Sequence, residues 1–254
     1  MPEVRLPAND LYGIGLDDLL DDDGTIRYRS GKVLRAAFRL PPDGRVCLLA
    51  SVQDGPLENL WSRSLTDAIW MGISQLGFEF VTGFSFSVYE QQSRAGQIWA
   101  AERNMASAEL LGHAGLPVVP LFCEVIEEDL EFAARWLEER PSLEVIGGLA
   151  QGWRTDAEFE RFLMRMKFLK NAVARPLHFL IVGCSSANRV KLLFRELTYV
   201  TVATANLEVL SRVVYESRES GGLLLLPILE LHSCDDVGEE GGAVERAPAL
   251  LCRH

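Results

Sequence analysis

Leu116-Pro-Val-Val-Pro-Leu-Phe-Cys-Glu124 reads as a buried strand. This apolar run leaves a helical pattern at Gly115 and ends on a carboxylate, just before the next helical pattern begins. The same unit of apolar run, polar tip and amphipathic helix recurs on both sides of it. Upstream, Pro41-Pro-Asp-Gly44 is a strong turn signal, and Arg45–Val52 after it is a strand. A helix is expected from about Leu57 to Leu76, a strand over Phe78–Val88, and a helix from about Ala95 to His113 that Gly115 closes.

Downstream, a helix is expected over Glu127–Glu139, with Glu127, Glu128 and Asp129 in its first turn to meet the macrodipole. Leu143–Leu149 is the next strand. Thr155-Asp-Ala-Glu158 has the pattern of a capping box, opening a helix whose Phe159, Phe162, Leu163, Met166 and Leu169 keep to one face. Leu177–Val182 and Tyr199–Ala203 are further strands, a helix is expected over Leu207–Arg218, and Leu223–Leu231, broken by Pro227, closes the series.

Seven apolar runs separated by helical patterns imply parallel strands, because each helix must carry the chain back across a sheet face. The fold class is α/β, and a (β/α) barrel is the first expectation, with an open doubly wound sheet as the alternative. Residues 1–44 form an N-terminal extension in which an eighth strand must be sought. Residues 45–234 form the α/β domain, and the Gly/Glu-rich 235–254 form a flexible acidic tail.

The net charge of −11 repels a phosphate backbone, so strong non-specific nucleic-acid binding is not expected. Arg161, Arg165, Lys167, Lys170 and Arg175 cluster, but mostly where the polar face of a helix belongs. No charge-free run approaches the ~18 residues of a membrane span, and the first residues lack the layout of a secretory signal. A cytoplasmic location follows as the simplest expectation. The five cysteines are widely spaced, with no C-x-x-C pair, which suggests reduced thiols and no zinc or iron–sulfur centre. The acidic run Asp17, Asp18, Asp21, Asp22 and Asp23 is interrupted by Leu19 and Leu20 and reads as a solvated turn.

In either architecture ligands sit at the carboxyl ends of the strands. Those tips carry Asp54; Ser85, Ser87, Tyr89 and Glu90; Glu124; Gln151 and Trp153; Ser185, Ser186 and Asn188; Thr204 and Asn206; Glu230 and His232. If Glu124 and Glu230 converge, the two carboxylates suit acid–base work, one raised by the other. His232, at a strand tip, joins them as a catalytic candidate, whereas His178 lies inside an apolar strand as a core histidine. Gly183-Cys-Ser-Ser186 before a helix offers N–H groups and hydroxyls to an anion, with Ser186 as an ordinary N-cap the competing reading. Ser85, Ser87, Gln151, Ser185, Ser186 and Asn206 are the ligand-binding candidates from these tips. No metal ligands stand out, and no particular cofactor is indicated.

Gly83-Phe-Ser-Phe-Ser-Val-Tyr89, Ala101-Glu-Arg-Asn104, Gly115-Leu-Pro-Val-Val-Pro120 and Trp136–Pro141 together resemble an uncharacterised family of phage, plasmid and bacterial proteins, the domain of unknown function DUF four-four-one-seven. The resemblance covers about residues 80–155. It makes Ser85, Ser87, Arg103, Asn104 and Pro120 the matched positions, adds Arg103 and Asn104 to the ligand-binding candidates, and brings no established activity. Val145-Ile-Gly-Gly-Leu149 and Leu180-Ile-Val-Gly183 are similar in rhythm to guanine transglycosylase barrels, but the Asp-Ser-Gly-Gly stretch and the zinc cysteines of those enzymes are absent.

Two functions are compatible with these patterns. One is an enzyme, or a degenerate enzyme, that takes a small phosphorylated or nucleotide-like ligand at the strand tips. The other is a non-catalytic module that binds a protein partner in a mobile-element or defence system.

Overall fold

The computed structural model describes residues 11–21, 24–41, 44–51, 54–64, 69–89, 91–123, 126–205 and 224–229. In chain order the elements are β1 (Leu11–Gly15), α1 (Leu16–Leu19), α2 (Gly31–Ala37), β2 (Arg45–Leu49), α3 (Asp54–Ser64), α4 (Ile69–Ser74), β3 (Val81–Thr82) and α5 (Arg94–His113). They continue as β4 (Val118–Val119), α6 (Glu127–Glu138), β5 (Val145–Leu149), α7 (Asp156–Ala172), β6 (His178–Val182), α8 (Ala187–Glu196), β7 (Tyr199–Thr204) and β8 (Leu224–Leu229).

Neighbouring strands are all parallel, in the order β4-β3-β2-β1-β8-β7-β6-β5. The two ends of that order also meet. Leu121, just past β4, bridges Gly147 of β5; the Phe122 N–H donates to Gly147 O at 3.0 Å and the Gly147 N–H to Pro120 O at 2.8 Å. The sheet therefore closes on itself, which makes the α/β fold an eight-stranded barrel and sets the open-sheet alternative aside. The strand contributed by residues 1–44 is β1, paired with β2 on one side and β8 on the other. The expected helix 207–218 and the acidic tail lie outside the described residues.

Alternation along the strands sorts the core into three clusters. Leu11, Cys47, Leu49, Phe80, Val119, Val145, Leu180, Val182 and Ala203 fill the lumen. The intervening residues face the helices: Ile14, Val46, Leu48, Val81 and Val118 pack with α1–α5, and Ile146, Phe179, Ile181, Val200 and Val202 pack with α6–α8. Burial of each large aliphatic side chain contributes roughly 1.5–3 kcal/mol, and the described side chains of the lumen form a packed core.

The pair Gly147-Gly148 makes the closure possible. A Cβ at Gly147 would stand 2.3 Å from Leu121 Cδ2 in the lumen, and one at Gly148 would stand 2.9 Å from Phe162 Cε2 and 3.0 Å from Met166 Sδ of α7. The bare backbone admits Leu121 on one face and α7 on the other.

The capping box of α7 forms as the sequence predicts. The Thr155 hydroxyl accepts from the Glu158 N–H at 3.2 Å and the Glu158 carboxylate accepts from the Thr155 N–H at 2.8 Å, which fixes where this helix starts. The expected helix 57–76 is seen as α3 and α4 on either side of residues 65–68, which lie outside the described residues. The strand expected over 78–88 forms sheet hydrogen bonds from the Glu79 N–H, which donates to Val46 O, to the Gly83 N–H, which donates to Val119 O, with regular strand geometry at Val81–Thr82; from Phe84 onward the backbone is bonded to side chains of α5, as described below.

Candidate functional site

Leu49, Leu149, Val182 and Ala203 form the last apolar tier of the lumen. Two residues further along β2 and β5, the alternation that pointed Leu49 and Leu149 inward points Ser51 and Gln151 the same way. Gln151 Nε2 donates to Ser51 Oγ at 2.7 Å, tying together two strand ends 100 residues apart. Around this tie lies a cleft of about 590 Å³ lined by Asp17, Ser51, Asp54, Gly55, Ser87, Tyr89 and Gln151. Every one of these residues follows the carboxyl end of a strand, so the cleft is the mouth of the barrel.

The segment 83–89 between β3 and α5 builds one wall, and α5 holds it in place. The Ser107 hydroxyl accepts from the Phe84 N–H at 2.8 Å and donates to Asn104 O at 2.7 Å. Asn104 takes both backbone groups of Phe86, its Oδ1 accepting from the N–H at 2.7 Å and its Nδ2 donating to the carbonyl at 3.1 Å. The Arg103 guanidinium lies 3.8 Å from the centre of the Phe86 ring, and its Nη1 donates to both Glu58 oxygens at 2.7 Å. With Phe84 and Phe86 turned into the helix-side core, Ser85 and Ser87 fall on the opposite side of the extended chain.

Ser87 then meets Asp54, the first residue of α3. Its N–H and its hydroxyl both donate to Asp54 Oδ1, each at 3.1 Å. Asp17, in the first turn of α1, is exposed and brings a second carboxylate to the cleft. Tyr89 closes the rim. Its N–H donates to Gln92 Oε1 at 3.0 Å and its carbonyl accepts from Gln97 Nε2 at 3.0 Å, while the residue is 55% exposed.

Gly183 abuts this mouth. Its φ of 80° places it in the left-handed region, and a Cβ there would stand 2.5 Å from Gln151 Cβ. The loop it begins, through Ser185, leads to Ser186 at the N-cap of α8, where the Ser186 hydroxyl makes no capping bond.

The structure thus brings Ser87 and Gln151 into the cleft with Asp17, Ser51, Asp54 and Tyr89. Ser85 is buried beside it, and Ser185 and Ser186 lie on the adjoining loop. Arg103 and Asn104 are buried behind the wall, where they position the 84–87 backbone. Glu124, Asn206, Glu230 and His232 lie outside the described residues. No family model matches the chain, and no curated protein matches it.

Asp17 and Ser51 escaped the sequence reading of the site. Asp17 follows β1, whose Leu-Tyr-Gly-Ile-Gly has too few apolar residues to announce a strand, so its carboxylate read as part of a solvated turn. Ser51 sat inside the expected strand 45–52, and only the true end of β2 at Leu49 exposes it as a tip.

His178, at the entrance of β6, shares a hydrogen bond of 2.8 Å between Nε2 and Thr201 Oγ1, and burial pushes its imidazole down to about 4, so it is neutral at pH 7. Burial also raises the thiols of Cys47 and Cys184, which stay protonated. Among the described residues no cluster of His, Cys, Asp or Glu is arranged to hold a metal ion, and no helix is long and apolar enough to cross a membrane.

The basic cluster is engaged within the fold. Lys167 donates to Glu196 at 2.6 Å, Lys170 to the Glu196 carbonyl at 2.9 Å, and Arg175 to the carbonyls of Leu137, Arg140 and Leu143.

Proposed function

We propose that this barrel takes a small, hydroxyl-bearing ligand at its mouth, as an enzyme or as the descendant of one. The Asp54–Ser87 pair carries the reading. A carboxylate whose Oδ1 is fixed by two donors in a polar cleft, with a second carboxylate at Asp17, is suited to accept hydrogen bonds from ligand hydroxyl or amino groups. Asp54 is also the group placed to take a proton from such a hydroxyl.

The same cleft sharpens the ligand class expected from the sequence. Its described lining has two carboxylates and no lysine or arginine, which favours the nucleoside-like part of that class over a phosphorylated one. A phosphate is better served by the loop at Gly183–Ser186 and the first turn of α8.

A panel of sugars, nucleosides, nucleotides and sugar phosphates, screened by ligand-induced thermal shift against the wild type and Asp54→Asn, tests this. Compounds that stabilise the wild type and not the variant support the reading. A panel in which nothing distinguishes the two proteins contradicts it.

The second function, a module binding another protein, draws on exposed apolar side chains of α5 and α6. Trp99 is 58% exposed, with Ile98 beside it on α5 and Phe132 exposed on α6. Under that reading Trp99→Ser and Phe132→Ser abolish capture of the partner while Asp54→Asn leaves it intact.

A further inference from the structure

Within the described lining of the cleft, Tyr89 is the one aromatic residue. The residue is 55% exposed, but its backbone is held on both sides by Gln92 and Gln97, at the end of a segment that Asn104 and Ser107 fix by its backbone. An exposed aromatic on a pre-ordered main chain loses little freedom when a ligand covers it. The rest of the described lining is short and polar: two aspartates, two serines, a glycine and a glutamine.

These features divide the cleft into two kinds of surface. The carboxylates of Asp17 and Asp54 suit hydroxyl and amino donors, and the Tyr89 ring suits a flat, weakly polar face. The volume of about 590 Å³ falls in the range of roughly 300–1,000 Å³ that holds a drug-sized ligand, more than a single sugar ring fills. No described lysine or arginine lines it to pair with a phosphate.

We infer that Tyr89 is the platform on which the planar ring of a neutral nucleoside stacks, its sugar hydroxyls and amino group directed to the carboxylates of Asp54 and Asp17. This rests on the mouth of the barrel being the ligand site for a nucleoside-like compound and adds the residue that selects it and the placing of its base and sugar. Stacking of a base on an aromatic side chain is sequence-tolerant, so Tyr89 selects for the presence of a base and not for its identity.

The test is calorimetric titration of adenosine, adenosine 5′-monophosphate and ribose into the wild type, Tyr89→Ala and Tyr89→Phe. Because the ring is exposed, neither substitution is expected to alter the fold, and matched thermal midpoints confirm that. Adenosine is expected to bind the wild type about tenfold or more tightly than ribose, and at least as tightly as its monophosphate. Tyr89→Ala erases the margin over ribose, and Tyr89→Phe keeps it.

Equal binding of adenosine and ribose, an unchanged margin in Tyr89→Ala, tighter binding of the monophosphate, or no binding of adenosine overturns the inference. In each of those cases a different compound that depends on Asp54 leaves the proposed function standing. Loss of every Asp54-dependent ligand removes both.

Discussion

Ser87 donates two hydrogen bonds, from its N–H and from its hydroxyl, to the same oxygen of Asp54. The two residues come from the ends of different strands, β3 and β2, and their meeting depends on the clamp that Asn104 places on Phe86 one residue earlier. A wall of the mouth is therefore set by a buried amide that has no place in the cleft itself.

That dependence gives the first prediction. Asn104→Ala leaves the N–H and carbonyl of Phe86 without their partners, and each orphaned buried group costs about 1–3 kcal/mol. Urea unfolding is expected to show a loss in that range or above, and amide exchange at Phe86 and Ser87 to quicken more than exchange in β6. Uniform quickening throughout the barrel would mean that Asn104 supports the whole fold and not this wall.

Barrel closure is tested at Gly147. Gly147→Ala forces a methyl group against Leu121, and overpacking of this kind costs typically about 1–3 kcal/mol. Shortening the opposing side chain in Gly147→Ala/Leu121→Ala is expected to recover part of that loss in urea unfolding. A double variant as unstable as the sum of its two parts would deny the contact.

His178 predicts how stability follows pH. Its folded-state value of about 4 lies below the usual 6.5, so between those two pH values the unfolded chain binds the extra proton. The contribution is flat above about pH 6.5, and stability falls as pH is lowered from there toward 4. The Glu158 and Glu196 carboxyls are held below their ordinary range by the Thr155 cap and by Lys167 with Arg195, so their contributions are lost only at still lower pH. Urea midpoints at pH 7 and pH 5 are expected to differ for the wild type and to differ less for His178→Gln. Equal slopes for the two proteins would show that another group is responsible.

Nucleic acid provides the fourth prediction. With a net charge of −11 and Lys167, Lys170 and Arg175 already bonded within the fold, random duplex DNA at physiological salt is expected to bind no tighter than the weak range of about 10⁻⁴–10⁻⁶ M. Sub-micromolar affinity with a steep salt dependence would reveal a basic groove.

The sequence reveals those parts of the fold in which strands are continuous apolar runs. Arg45–Leu49, Val145–Leu149, His178–Val182 and Tyr199–Thr204 lie within or nearly match their expected runs, because a barrel strand is buried on both faces. The strand β1 is hidden by Gly13 and Gly15. The runs around β3 and β4 promise longer ladders than form. Past Gly83 the chain turns its hydrogen bonds to α5, and Pro117 and Pro120 remove donors on either side of Val118–Val119.

The site is legible to the same degree. Strand tips locate the mouth, and Ser87 and Gln151 are found there. Arg103 and Asn104 carry polar groups that sequence cannot distinguish from ligand contacts, because only the packing shows them turned toward Phe86.

Hydrogen exchange followed by mass spectrometry, with and without saturating adenosine, tests the ligand site most directly because it needs no substitution. Protection is expected in the segments 49–55, 83–89 and 149–153, which carry Ser51, Asp54, Ser87, Tyr89 and Gln151, with the outer faces of α5 and α6 unchanged. Protection confined to the outer helices, or none at any concentration, would contradict a nucleoside site at the mouth of the barrel.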